Sequence, residues 1–177
     1  RTFATHLGIA CEIEKEEIFD EDIKDSKILH ICGYQLINPK LRRTVLHAMD
    51  IAKAANVKVS IDLAAPNLVE QNLADFADVI KTYVDIVFSN EEEAQAFTGK
   101  KEREALDVIS EICEIAIVKV GKKGSLVKKE DEIFEIETFE AKAVDTTGAG
   151  DSYAAGFLYG LTQNLSLDKC GKIGSWI

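Results

Sequence analysis

Val57-Lys58-Val59-Ser60-Ile61-Asp62-Leu63, then Val69, Leu73, Phe76 and Ile80 after Pro66, then Asp85-Ile86-Val87-Phe88: the apolar period here changes from strand to helix and back. Two β-branched runs flanking one helical stripe predict a strand–helix–strand unit, the connection that parallel strands require. The alternation continues upstream. Lys27-Ile28-Leu29-His30-Ile31-Cys32 reads as a buried strand ending at Gly33, and Asn38-Pro39 opens a helix carrying Leu41, Val45, Leu46, Met49 and Ala52. Downstream, Asn90 begins a helix that stops at Gly99, Glu102 to Cys113 reads as another, and Ile115-Ala116-Ile117-Val118-Lys119-Val120 as a strand. The pattern predicts an α/β fold, a predominantly parallel sheet with helices on both faces in three layers.

Two stretches depart from it. Ser125–Lys129 and Glu132–Ile136 around Glu130-Asp131 predict an antiparallel hairpin, and Ala143-Val144 leads into a Gly-rich turn and a helix from about Ala149 to Thr162. Residues 12–25 carry Glu12, Glu14, Glu16, Glu17, Asp20, Glu21, Asp22 and Asp25, and read as a solvated helix and its approach.

The 177 residues are 46% hydrophobic, which is enough for a core and excludes a disordered chain. With 31 acidic against 21 basic side chains the net charge is −10, which argues against nucleic acid or an anionic membrane as partner. No apolar run approaches the ~18–20 residues of a membrane span. Cys11, Cys32, Cys113 and Cys170 include no C-x-x-C pair, so they read as free thiols of a reducing, cytoplasmic setting. His6, His30 and His47 are scattered over different elements and form no metal set.

Chemistry concentrates in Val144-Asp145-Thr146-Thr147-Gly148-Ala149-Gly150-Asp151-Ser152-Tyr153-Ala154-Ala155-Gly156-Phe157. Glycines let a ligand approach the backbone, and the first N–H groups of a helix, with its dipole, attract phosphate or a developing anion. Asp151 at the mouth of this turn is the candidate base; the structural alternative is favourable charge in a first helical turn. Two familiar phosphate loops are excluded by spacing. Gly121-Lys122-Lys123-Gly124-Ser125 leaves too few residues between glycines for G-x-x-x-x-G-K-[ST], and Tyr153 stands where G-x-G-x-x-G needs its third glycine.

The segment Asp145–Asp151 with the following Ser-Tyr-Ala-Ala-Gly-Phe resembles the C-terminal signature of the ribokinase-like carbohydrate and nucleoside kinases, the PfkB family. Phe88-Ser89-Asn90-Glu91-Glu92-Glu93-Ala94 resembles that family's N-x-x-E element, with Asn90 and Glu93 at its positions. Val118-Lys119-Val120-Gly121-Lys122-Lys123-Gly124-Ser125 resembles the strand and turn along which the family lays ATP. Arg1–Gly8, Ile31-Cys32-Gly33-Tyr34 and Leu63-Ala64-Ala65-Pro66 are similar to segments of the adenosine-kinase-like branch, which usually has Asn where Asp62 stands.

The resemblance implies transfer of the γ-phosphoryl group of ATP to a primary hydroxyl of a small-molecule sugar or nucleoside, adenosine or a related riboside favoured. A hexose or ribose kinase of the same fold, or a non-catalytic nucleotide-binding module, are the alternatives. Asp151 then accepts the hydroxyl proton, while the N–H groups of Gly148, Ala149 and Gly150 hold developing charge. Lys119, Gly121, Gly124, Thr147 and Asn90 become nucleotide-binding candidates. Glu93 with Asn90 would organise Mg²⁺ through water. Asp145 either helps bind a monovalent cation such as K⁺ or caps the turn. The five lysines from Lys119 to Lys129 read as an exposed hairpin face. Residues 1–177 are expected to form one partial kinase domain, monomeric or homodimeric. Acceptor-binding segments and a lid would come earlier, and sheet edges would be left unpaired.

Overall fold

The computed structural model describes residues 6–140 and 144–177. Arg1–Thr5, part of one similar segment, and Ala143, on the approach to the Gly-rich turn, lie outside the described residues. Among the described residues, one sheet contains β1 (Ile28–Cys32), β2 (Lys58–Asp62), β3 (Ile86–Asn90), β4 (Ile115–Lys119), β5 (Ser125–Lys129) and β6 (Glu132–Ile136), arranged in chain order. β1 to β4 are parallel, and β5 and β6 form the expected hairpin, pairing antiparallel onto β4.

Sheet order equal to chain order means that every crossover steps the same way. With right-handed connections the crossover helices then fall on one face. These are α2 (Pro39–Ala54), α3 (Pro66–Gln71), α4 (Leu73–Tyr83), α5 (Glu91–Thr98) and α6 (Glu102–Ser110), preceded by the short α1 (Asp20–Lys24) against α2. Their apolar sides meet Ile31, Val59, Ile61, Leu63, Val87, Ala116 and Val118 in one core. α7 (Ala149–Thr162) and α8 (Leu167–Trp176) cover the opposite face, where Tyr153, Phe157 and Cys170 join Ile86, Phe88, Ile115, Ile117 and Val127. The three-layer α/β/α arrangement is therefore the predicted one. Among the described residues, no helix is long and apolar enough to cross a membrane.

Three helical expectations need correction. The stripe after Pro66 is broken at Asn72, whose backbone leaves the helical region (φ −130°, ψ 29°) while its Nδ2 donates to Leu68 O at 2.9 Å. An Asn side chain competes for helical carbonyls in this way. Leu73 is 41% exposed as a result. The helix from Glu102 ends at Ser110, because the chain must turn into β4; the Cys113 thiol bonds Ile109 O and Ile115 O in that turn, and burial pushes it up to about 12. Residues 12–25 form a 3₁₀ turn at Lys15–Glu17 and the five-residue α1, not one helix. Like charges four apart, Glu12 with Glu16 and Glu17 with Glu21, oppose a continuous helix. The segment is tied to α2 by Lys40, which bridges Glu12 and Glu14, and by Thr44 Oγ1 donating to Ile13 O.

Candidate active site

Side chains alternate along a strand, so Cys32, Asp62, Asn90 and Lys119 all belong to the α7 side of the sheet, one at the carboxyl end of each parallel strand. Register aligns them: Cys32 pairs with Asp62, and Asn90 with Lys119. That edge of a parallel sheet is where ligands bind. α7 begins over it. Its Tyr153 ring meets Phe88 edge-on at 6.5 Å and stacks on Phe157 at 6.2 Å.

Lys119 does not lie on an exposed lysine face as expected. Its side chain crosses β3, and Nζ lies 2.7 Å from Asp62 Oδ2, with only 15% and 11% of the two side chains exposed. Lys128 is likewise turned inward against Asp107, whereas Lys123 pairs with Glu102 in solvent. The other Asp62 oxygen, Oδ1, accepts the N–H of Ala64 at 3.0 Å. An ideal Cβ on Gly150 would stand 3.1 Å from Lys119 Nζ, so the ammonium packs against the first turn of α7 and would have to give by a few tenths of an ångström for a side chain there.

The N-x-x-E element is a reciprocal capping box at the start of α5. Asn90 Oδ1 accepts the Glu93 N–H at 2.8 Å, and the Glu93 carboxylate accepts Asn90 N–H at 2.8 Å and Nδ2–H at 2.7 Å. Glu93 is 4% exposed. Burial, reinforced by the charge of Asp62 and opposed by the Asn90 N–H, pushes its carboxyl up to about 7.

In the Gly-rich turn, Gly148 is the left-handed N-cap of α7 (φ 77°). Thr147 N–H and Oγ1–H both donate to Asp145 Oδ1, at 2.9 and 2.8 Å, which is the turn-capping arrangement. Ala149 N–H is directed to Thr146 O at 3.2 Å, while Asp151 is exposed in the first helical turn. Gly150, the residue before it, stands against Lys119 Nζ, which puts the start of α7 with Asp151 on the side of the strand-end row. Gly121 opens the turn after β4, and Gly124 closes it at φ 99°, where a Cβ would come 1.8 Å from Ile136 O. Asn90, Glu93, Lys119 and the start of α7 are thus brought to one edge. Among the described residues, no group of three or more His, Cys, Asp or Glu side chains forms a metal cage.

A family model described as pfkB family carbohydrate kinase matches residues 1–177. The chain belongs to the pfkB family. It is 30% identical over 168 residues to a 5-dehydro-2-deoxygluconokinase of Listeria monocytogenes, a match covering 90% of this chain and 52% of that protein. The adenosine kinase from Sinorhizobium meliloti superposes with a TM-score of 0.89 at 32% identity, over 93% of this chain and 51% of that one. A probable sugar kinase protein from Rhizobium etli CFN 42 gives 0.89 at 33% identity, over 93% and 51%. The chain spans about half the length of the curated relatives it matches.

Within this pfkB-family chain, sequence reasoning missed the Asp62–Lys119 pair and the bond between Ser125 and Tyr153. A signal for the first was present. Asp62 and Lys119 are charged residues at the carboxyl ends of buried strands, on the side of the sheet shared with Phe88 and Ile117.

Proposed function

We propose that this chain carries the phosphoryl-transfer half of an ATP-dependent kinase acting on a primary hydroxyl of a sugar or nucleoside. The observation that carries the reading is the meeting of Asp151, the amino end of α7 and the Lys119 ammonium at one edge of the sheet. Asp151 accepts the hydroxyl proton as the acceptor attacks. The helix start at Gly148–Gly150 and Lys119 hold the negative charge on the transferring group. The Lys119–Gly124 strand end and turn, with Thr147, form the track for the nucleotide. Asn90 and Glu93 suit Mg²⁺ held through water, since a single buried carboxylate with an amide neighbour is the sparse donor set that this ion accepts. The ion supplies charge neutralisation of the phosphates when bound.

Adenosine or a related riboside is the leading acceptor, supported by the likeness to the S. meliloti adenosine kinase, with a hexose or ribose second. ATP consumption by the whole protein, measured across nucleosides, ribose, hexoses and 5-dehydro-2-deoxygluconate, tests both. A phosphorylated product from one of them is expected. ATP binding without transfer to any acceptor would instead favour a nucleotide-binding module.

A further inference from the structure

We infer that Asp62 is a positioning residue: it holds the Lys119 ammonium against the first turn of α7, where that cation faces the phosphoryl group in flight. This rests on the kinase reading above. Lys119 stands on β4 and Asp62 on β2, so the pair spans β3 and is not a neighbouring-strand contact. A buried ion pair is a poor stabiliser, because both partners lose their water. Its placement at the ligand-binding edge gives it a use that stability does not. Asp62 is itself fixed, with Oδ2 on Lys119 and Oδ1 on the N–H of Ala64, a non-glycine residue at φ 72°. Strained backbone of this kind persists where surrounding structure demands it, and is common at functional sites.

A lysine has a long flexible stem and loses much rotamer freedom on binding a phosphate. Here that freedom is already removed, and the bare Gly150 leaves the volume that Nζ fills. Without Asp62 the ammonium would be released to solvent or drawn to a nearby carboxylate such as Glu93, which already feels its charge.

The test uses the whole protein with Asp62→Asn, Asp62→Ala, Lys119→Met and the Asp62→Asn/Lys119→Met double variant. Reductive methylation with formaldehyde and borohydride, read at Lys119 by peptide mass spectrometry, reports the pair without any activity. Lys119 should react about fivefold faster or more in Asp62→Ala, with the solvent lysines unchanged. Asp62→Asn should lower kcat by about 10–100-fold, leave KM for ATP within about threefold, and add nothing to the loss in Lys119→Met. Should Asp62→Ala fail to fold, the near-isosteric Asp62→Asn carries both readouts. Unchanged Lys119 methylation overturns the pair. Faster methylation with unchanged kcat, or losses that multiply in the double variant, overturns the positioning role and leaves the kinase reading intact. No transfer by the unsubstituted protein to any acceptor overturns the kinase reading, and the positioning role with it.

Discussion

The Tyr153 hydroxyl lies 2.6 Å from Ser125 Oγ, in a buried bond that ties α7 to the first residue of β5. Ser125 follows directly on the Gly121–Gly124 turn, and Tyr153 stands two residues after Asp151. The bond therefore fixes the candidate base relative to the candidate nucleotide track.

Removing one partner strands the other. Tyr153→Phe leaves the Ser125 hydroxyl, 1% exposed, without this bond, and should lower unfolding free energy by about 1–2 kcal/mol. Combining it with Ser125→Ala should recover part of that loss, because both polar atoms are then gone. Urea unfolding of the three variants checks this, and strictly additive losses would contradict it.

Asp151→Asn keeps the size of the side chain at an exposed first-turn position, so the fold should be unaffected. Loss of the base should cut turnover by ~10²–10⁴. ATP affinity, measured by calorimetry, should remain close to that of the unsubstituted protein. Turnover that survives the substitution would remove Asp151 from the mechanism.

Glu93 makes stability fall as pH rises. With its carboxyl at about 7 in the folded protein against an ordinary 4.5, the folded state binds the extra proton between those values. Below pH 4.5 both states are protonated and the group is neutral to stability. Above about 7 the folded state carries an ionised buried carboxylate at a cost of about 3 kcal/mol. Glu93→Gln keeps an acceptor for the Asn90 N–H and has no such cost. Its stability advantage, measured without divalent cations, should grow by roughly that amount from pH 4.5 to 7.5. A constant difference across this range would contradict the assignment.

Gly124→Ala puts a methyl into Ile136 O at a left-handed φ. Backbone cannot yield there as a flexible side chain would, and strain of this kind costs about 1–3 kcal/mol before the clash is counted. A fall of at least 3 kcal/mol is expected, with hydrogen exchange rising first in β5 and β6. Gly121→Ala has open space around its Cβ and should cost less.

The fold was legible because long-range order here follows local pattern. The hairpin Ser125–Lys129 and Glu132–Ile136 and the helix Ala149–Thr162 have the predicted bounds. The break at Asn72 escaped because the apolar stripe continues in phase through it, so periodicity alone could not see the side chain capturing Leu68 O. The Gly-rich turn and the N-x-x-E element were visible as contiguous motifs. The Asp62–Lys119 pair was not, since its partners are 57 positions apart and meet only when three strands are in register.

A sheet laid down in chain order separates two kinds of mutational change. α2 to α6 bury against one face, while Asp62, Lys119 and Asp151 belong to the other. α5 reaches the site edge through Glu93, whereas drift in α2, α4 and α6 is absorbed by repacking on the face opposite Asp62, Lys119 and Asp151. Change along the strand-end row can then proceed without disturbing the layer that buries most of the core.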